Sequence, residues 1–496
     1  MRNSGILLPV TSLPSRYGIG CFDECAYEFV DRLEKAGQTC WQILPMGPTG
    51  YGDSPYQSFS SFAGNPYFIS PAELVKKGWL TEADCDQSAE GTREDYVQYD
   101  VIYKNRFALL RKAFAASGIE TDASYNDFVL ENGDWLPDYA LFMAIKDSKG
   151  GQSYLEWEES IRLREPEALV SYKNRLMDDV NFYQFLQYEF SCEWKALKEY
   201  ANEKGIKIIG DIPIYVAPDS ADTWAHPELF QLKKNGTPIG VAGCPPDAFS
   251  ETGQLWGNPL YNWESHRKSD YAWWISRIRQ CFLWYDMVRI DHFRGFDEYY
   301  AIPYGDKTAE NGKWEKGPGM ELFAALKNEL GELPIIAEDL GFLTESVREL
   351  LRDSGFPGMK VLQFAFDSRE DSDYLPYRYD KNSVVYTGTH DNTTTFSWWD
   401  ELAAEDKSVA LRYMNSGRFT SKKKLTWQLI CLAMGSVSDL CVIPLQDYLC
   451  LTNKARMNTP STLGFNWQWR MERGALTDKL CEKIYKMTKL YGRLGK

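Results

Sequence analysis

A recurring unit runs through the chain, in which an amphipathic helical segment ends at a glycine and a short apolar segment follows. Gly37, Gly205, Gly331 and Gly355 each stand at such a junction. Glycine suits this position because the backbone that closes a helix commonly adopts a left-handed conformation. Apolar segments that alternate with helices predict parallel strands, each joined to the next by a helix.

Eight apolar segments fit this pattern, which is the number of strands in a (β/α)8 barrel. They are residues 6–8, 40–44, 206–211, 287–291, 334–338, 359–364, 383–387 and 440–445. An open, doubly wound α/β sheet is the structural alternative. Such a sheet normally carries a Gly-rich phosphate-binding turn after its first strand, and the chain has none there. The sequence therefore predicts an α/β protein built on a (β/α)8 barrel.

Two of the connections between strands are too long for a single helix. About 160 residues separate the second and third strands, and about 75 separate the third and fourth. We therefore expect one barrel over residues 1–496, with a largely helical insertion at about 50–200 and a second insertion at about 212–270. Insertions in such barrels tend to lie on the catalytic face, at the carboxyl ends of the strands. The Gly-rich stretch 312–319 is interpreted as a plain loop.

Charge and cysteine content argue against several classes of partner. The formal net charge of −15 disfavours nucleic acid, whose phosphates require a basic face. No segment approaches the ~20 apolar residues of a membrane span, and the apolar start at 6–10 is too short for a signal peptide. Eleven scattered cysteines without a CxxC pair suit free thiols in a reducing cytoplasm. We therefore expect a cytoplasmic protein without a membrane or nucleic-acid partner; its protein partners stay unknown.

Three of the predicted strands lead into an acidic residue: Asp291, Glu338 and Asp391. The carboxyl ends of parallel barrel strands meet at one rim, so these three acids are expected to converge. The chain has only four histidines, and two of them, His292 and His390, adjoin these acids. The combination indicates a catalytic site.

Cleavage of a glycosidic bond with retention needs a carboxylate nucleophile and a carboxylic acid about 5–5.5 Å apart. Arg289 lies two residues before Asp291 and would stabilise its ionised form, so Asp291 is the predicted nucleophile. Glu338, approached by two other acids, would retain its proton and serve as the general acid. Asp391 would orient sugar hydroxyls and stabilise the positive charge that develops on the ring.

Other uses of these acids stay open at this point. Asp291 could cap a helix or form a structural pair with Arg289 or Arg294. A divalent cation could bind Asp291, Glu338 and Asp391, although Arg289 would then place one cation beside another. The chain contains no HExxH, GxSxG or Walker motif. We therefore predict neither a metal nor an organic cofactor.

Longer motifs surround these acids, and their order along the chain resembles the amylomaltases. These are the disproportionating 4-α-glucanotransferases of glycoside hydrolase family 77, within the wider α-amylase clan. The resemblance extends nearly end to end and includes GYGDSPYQ (50–57), GDIPI (210–214), PPD (245–247), GQLWGNP (253–259), VRIDHFRGF (288–296), AEDLG (337–341), GTHDN (388–392) and ARMNTP (455–460).

The resemblance implies the same roles for the three acids and adds a set of sugar contacts. The implied contacts are Arg289, His292 and His390 at the cleavage point, Asp211, Tyr56 and Asn466 on the donor side, Trp256 on a loop over the acceptor side, and Ser54 and Tyr99 further along the glucan. Tyr56 and Tyr99 could instead be core aromatics, Trp256 could brace its own loop, and Asp211 could be a structural acid. Many family members have an acid after His-Asp-Asn where this chain has Thr393, a change expected to alter only the rim.

Taken together, the residues and the resemblance predict an enzyme, a 4-α-glucanotransferase that acts on α-1,4-glucans with glucose or another glucan as acceptor. The expected mechanism is a double displacement through a covalent glucosyl-enzyme intermediate. An α-amylase-like hydrolase shares the same three acids and is one alternative. A non-catalytic glucan-binding protein is the other.

Overall fold

The computed structural model describes residues 2–246, 251–341 and 343–495. Within these ranges the chain forms twelve β-strands, which in chain order are β1 (Asn3–Leu7), β2 (Cys40–Gln42), β3 (Lys207–Ile212), β4 (Gly240–Cys244), β5 (Gln254–Pro259), β6 (Met287–Ile290), β7 (Glu298–Pro303), β8 (Lys313–Lys316), β9 (Ile335–Ala337), β10 (Gly358–Val361), β11 (Ser383–Tyr386) and β12 (Leu440–Pro444).

Eight of these strands close into a barrel in the order β1-β12-β11-β10-β9-β6-β3-β2, and all neighbouring pairs are parallel. Each of the eight overlaps one of the apolar segments identified in the sequence, so the predicted (β/α)8 barrel is confirmed. Alternate strand residues such as Ile209, Ile336 and Val384 pack together inside the barrel. Their neighbours along the strands, such as Ile208 and Val385, pack outward against the helices. This alternation determines which rim side chains point into the barrel mouth.

Within the same described ranges the chain forms nineteen α-helices. They are α1 (Glu24–Lys35), α2 (Pro71–Lys76), α3 (Glu82–Ala89), α4 (Tyr99–Ser117), α5 (Ala123–Glu131), α6 (Leu136–Ser148), α7 (Glu159–Arg162), α8 (Pro166–Arg175), α9 (Met177–Glu203), α10 (Ala221–Ala225), α11 (Trp263–Lys268), α12 (Ala272–Trp284), α13 (Met320–Leu330), α14 (Glu345–Ser354), α15 (Thr395–Glu401), α16 (Ala404–Tyr413), α17 (Lys422–Gly435), α18 (Leu445–Leu449) and α19 (Asp478–Leu490).

The helices α1, α9, α13 and α14 end close to the four glycines of the pattern, whereas α12 and α17, which also precede barrel strands, are followed by Tyr285 and Ser436. Gly205, after α9, has a φ of 73°, and Gly355, after α14, has a φ of 71°. Both values lie in the left-handed region that glycine adopts without strain. The helices α2 to α9 lie between β2 and β3. We propose that this connection, at about 50–200, and the one at about 212–270 are insertions into a single barrel unit.

A four-stranded antiparallel sheet in the order β5-β4-β7-β8 stands outside the barrel. The interpretation of residues 312–319 as a plain loop was wrong, because Lys313–Lys316 forms β8 and pairs with β7. All four residues of β8 are exposed, so the strand lacks the apolar alternation by which strands are identified. Asp247, at the end of the 245–247 motif, lies outside the described residues.

All eleven cysteines lie within the described ranges, and none of them is joined in a disulfide. Among the helices that the structure describes, none combines the length and the apolar character needed to cross a bilayer.

Candidate active site

An ion-paired row of three side chains lies at the mouth of the barrel. Asp211 on β3 stands opposite Arg289 on β6, and Asp291 directly follows β6. Arg289 donates from Nη1 to both carboxylate oxygens of Asp211 (2.8 and 2.7 Å) and from Nη2 to Oδ1 of Asp291 (2.8 Å). Asp211 and Arg289 are buried, whereas the Asp291 side chain is 32% exposed. The row therefore presents one carboxylate, that of Asp291, to the cleft.

Opposing effects act on the pKa of Asp211, at the buried end of this row. Burial raises the pKa of Asp211 to about 7, while the positive charge of Arg289 and the hydrogen bond from Tyr56 act to lower it. Because Asp211 occupies Nη1 of Arg289, Nη2 is directed at Asp291. Asp211 thus orients the guanidinium that binds the predicted nucleophile.

Glu338 occupies the neighbouring strand end. It directly follows β9, and the register pairs Ile290 with Ala337, so Asp291 and Glu338 stand side by side on adjacent strands. The backbone N–H groups of His292 and Leu340 donate to its two carboxylate oxygens, at 2.7 and 3.0 Å. Burial, and next the negative charge of Asp291, raise the pKa of Glu338 to about 8. Glu338 is therefore protonated near neutral pH and able to donate a proton.

His292 joins Glu338 to β5, the strand that carries Trp256, which the resemblance had placed on a loop. Its backbone has a φ of 54°, a left-handed conformation that lets its N–H point at Glu338. The ring lies edge-on to Trp256 at a centroid distance of 4.8 Å. Burial, together with the charge of Arg294, lowers the pKa of His292 to about 3, so the ring is neutral. Within the described residues its buried Nε2 atom has no hydrogen-bond partner, which suits it to a sugar hydroxyl.

Asp391 lies across the barrel mouth, in the turn after β11. Asn458 donates from Nδ2 to Oδ1 of Asp391 (2.7 Å), and Nε2 of His390 lies 3.4 Å from the same oxygen. The backbone N–H of Asn458 also donates to the carbonyl of His390 (3.1 Å). Burial lowers the pKa of His390, which favours its neutral form. Asn458 thus holds both residues of the His-Asp pair.

Tyr56 connects the two sides of the mouth. Its hydroxyl donates to Oδ2 of Asp211 (2.9 Å) and lies 2.9 Å from Nε2 of His390. Asp391 and Asp291 are therefore joined by an unbroken series of contacts through His390, Tyr56, Asp211 and Arg289. The three acids separated in the sequence converge on one cleft.

The other implied sugar contacts, Trp256, Ser54 and Tyr99, have different neighbours in the structure. Trp256, on β5, contacts the His292 ring at the rim. Ser54 accepts a hydrogen bond from the backbone N–H of Tyr56 (3.3 Å). Tyr99 is buried, and its hydroxyl donates to the carbonyl of Trp467 (2.8 Å). The roles of Ser54 and Tyr99 as glucan contacts stay predictions.

Two residues of the site were missed in the sequence. Asn458, the partner of Asp391, lies inside the ARMNTP motif at 455–460, and that motif was the signal that could have identified it. Trp467 has a left-handed φ of 64°, and its ring lies 5.7 Å from Tyr56 and 5.9 Å from His390. It directly follows Asn466, but a single tryptophan gives no sequence signal of such a role.

Comparison with known proteins agrees with this geometry. A family model described as 4-alpha-glucanotransferase matches residues 8–477. The chain is 49% identical to a 4-alpha-glucanotransferase of Clostridium butyricum, over 98% of this chain and 99% of the relative. It is 47% identical to a 4-alpha-glucanotransferase of Streptococcus pneumoniae serotype 4, over 100% of this chain and 98% of the relative.

A solved structure supports the same assignment. The amylomaltase from Streptococcus agalactiae in complex with acarbose matches with a TM-score of 0.96 and 42% identity, over 99% of this chain and 100% of that one. The family and transferase class predicted from the sequence are thus confirmed. The chain belongs to the 4-alpha-glucanotransferase family.

Proposed function

We propose that this enzyme transfers a segment of an α-1,4-glucan to the 4-hydroxyl of glucose or of another glucan by a retaining double displacement. The observation that carries this mechanism is the pair at the adjacent ends of β6 and β9. There Asp291, bound to Arg289, stands beside a Glu338 whose raised pKa keeps it protonated. A nucleophile beside a proton donor is the arrangement that retaining cleavage requires.

In the first step, the Asp291 carboxylate attacks the anomeric carbon, and the bond from that carbon to the leaving oxygen breaks. Glu338 gives its proton to the departing oxygen, so the leaving sugar is released as an alcohol. Arg289 binds Oδ1 of Asp291, and we assign the attack to Oδ2. The product of this step is a glucosyl ester on Asp291 and an ionised Glu338.

In the second step, the 4-hydroxyl of an acceptor sugar replaces the leaving group in the cleft. Glu338 removes the proton of this hydroxyl as its oxygen attacks the anomeric carbon, and the ester bond to Asp291 breaks. Two inversions at that carbon give net retention. Asp391, held by Asn458, stabilises the positive charge that develops on the ring in both steps.

The proposed substrates are maltooligosaccharides and amylose, with glucose as an acceptor, and no cofactor takes part. The acarbose complex of the Streptococcus agalactiae relative supports a glucan-like ligand. The proposed location is the cytoplasm, which is supported by eleven cysteines that form no disulfide within the described residues.

Incubation of the purified enzyme with maltotriose tests the proposal. We expect glucose together with a ladder of longer oligosaccharides, because the intermediate passes its glucosyl group to another sugar. Only shorter products would indicate an α-amylase-like hydrolase. Binding without turnover would indicate a non-catalytic glucan-binding protein.

The pH dependence of kcat/KM should report the proton on Glu338. The first step needs a protonated Glu338 in the free enzyme, and its pKa of about 8 keeps it protonated until the pH approaches that value. Activity with maltotriose should therefore fall as the pH rises through about 8, since kcat/KM reflects groups in the free enzyme. Rates measured from about pH 5 to about pH 10 give the midpoint. Activity that stays constant as the pH rises through about 8 would contradict the assignment.

A further inference from the structure

The loop of residues 459–466 stands at the rim of the cleft and exposes two large apolar side chains. Leu463 is 65% exposed and Phe465 is 89% exposed. A single exposed apolar residue is ordinary on a protein surface. A pair of them beside a sugar-binding cleft is informative, because aromatic and aliphatic side chains pack against the apolar faces of sugar rings.

Both ends of this loop are attached to the catalytic site. Immediately before it, Asn458 donates to Asp391 (2.7 Å). Immediately after it, the ring of Trp467 lies against those of Tyr56 and His390, at 5.7 and 5.9 Å. The position of the loop is therefore fixed relative to the reacting sugar.

The loop is also ordered internally. Asn466 accepts a hydrogen bond from the backbone N–H of Thr459 (3.0 Å) and donates to the carbonyl of Thr462 (2.8 Å). Gly464, with a φ of 102°, provides the tight bend between the two exposed residues. A platform that is already ordered loses little conformational entropy when a ligand binds.

The loop adjoins the Asp391 side of the cleft, across the mouth from Glu338. The residues that flank it, Asn458 and Trp467, contact Asp391 and His390, whereas Glu338 follows β9 on the other side of the mouth. Glu338 protonates the leaving oxygen, so the leaving sugar lies on its side, and the retained chain extends the opposite way. Leu463 lies close to the turn Tyr51–Asp53. A Cβ atom built on Gly52 would stand 3.2 Å from Cδ2 of Leu463.

We propose that Leu463 and Phe465 form an apolar platform for glucose units of the donor chain that lie beyond the cleavage point. The platform makes the enzyme prefer longer donors, because only these reach it. This inference rests on the transferase mechanism proposed above and names residues that set the length preference of the same cleft.

The test compares Phe465→Ala with Phe465→Trp, using maltotriose and maltoheptaose as donors. The ratio of kcat/KM for maltoheptaose to that for maltotriose should fall about 3- to 10-fold in Phe465→Ala, as expected for the loss of one aromatic contact. The change should appear in KM rather than in kcat, since the contact is equal in ground and transition states. Phe465→Trp should keep the ratio of the parent enzyme.

Leu283→Ala is the matched control. Leu283 is 67% exposed and lies at the end of α12 that leads into β6, at the opposite end of the barrel. Leu283→Ala should leave the ratio of kcat/KM for the two donors unchanged. An unchanged ratio in Phe465→Ala would overturn the platform, whether both donors lose activity equally or neither does.

Calorimetric binding of maltoheptaose to Glu338→Gln, with and without Phe465→Ala, separates this inference from the mechanism. Adding Phe465→Ala should weaken the binding of maltoheptaose about 3- to 10-fold, even if the parent enzyme shows no transfer. Failure of transfer would then count against the mechanism alone, and equal binding would count against the platform alone.

Discussion

Replacing Asp291 with asparagine should lower kcat for maltotriose by about 10⁴-fold or more, because an amide cannot form the ester intermediate. The substitution keeps the size of the side chain and a carbonyl oxygen that can accept from Arg289. The other hydrogen bonds of Arg289, two to Asp211 and one from Nε to Sδ of Met359 (3.4 Å), do not involve Asp291. We therefore expect the fold to persist, with a circular dichroism spectrum and a melting temperature close to those of the parent enzyme.

Asp211→Asn is the informative comparison for this prediction. Both acids bind Arg289, but only Asp291 is exposed to the cleft. If the role of Asp291 were only to neutralise Arg289, the two variants would lose activity equally. We expect a loss in Asp211→Asn that is smaller in kcat and accompanied by a lower melting temperature, because Asp211 is fully buried. Near-normal turnover in Asp291→Asn would refute its assignment as the nucleophile.

The convergence of the acids was predictable because strand ends in a parallel barrel share one rim. Asp291 and Glu338 each directly follow a strand with a clear apolar run, so their positions follow from the strands alone. The connection through Tyr56 was not predictable. Its two hydrogen-bond partners lie 155 and 334 positions away in the chain, and no local pattern encodes such contacts.

The fold shows the same division between local and distant information. The eight barrel strands are apolar on both faces, since one side packs inside the barrel and the other against helices. Two strands of the outer sheet have no such signal. Its strand β8, Lys313–Lys316, is exposed at every position, and β4, Gly240–Cys244, contains two glycines. β4 and β8 form because β7 pairs with both of them, and the sequences of β4 and β8 alone do not predict that pairing.

Replacing Glu338 with alanine should lower kcat for maltotriose by about 10²- to 10⁴-fold, the range that general acid–base catalysis contributes. Unlike the loss in Asp291→Asn, this loss should depend on the leaving group. Fluoride departs without a proton, so the first step with α-maltosyl fluoride should proceed in Glu338→Ala at a rate near that of the parent enzyme.

The second step should then stall in Glu338→Ala, because no base remains to activate the acceptor hydroxyl. The ester should accumulate, and mass spectrometry of the digested protein should find the added maltosyl group on the peptide that contains Asp291. A small anion such as azide needs no base and should release it as α-maltosyl azide. The same treatment of Asp291→Asn should give neither adduct nor azide product. If α-maltosyl fluoride fails to restore the first step in Glu338→Ala, or if the label lies on another residue, the division of roles between these two acids is wrong.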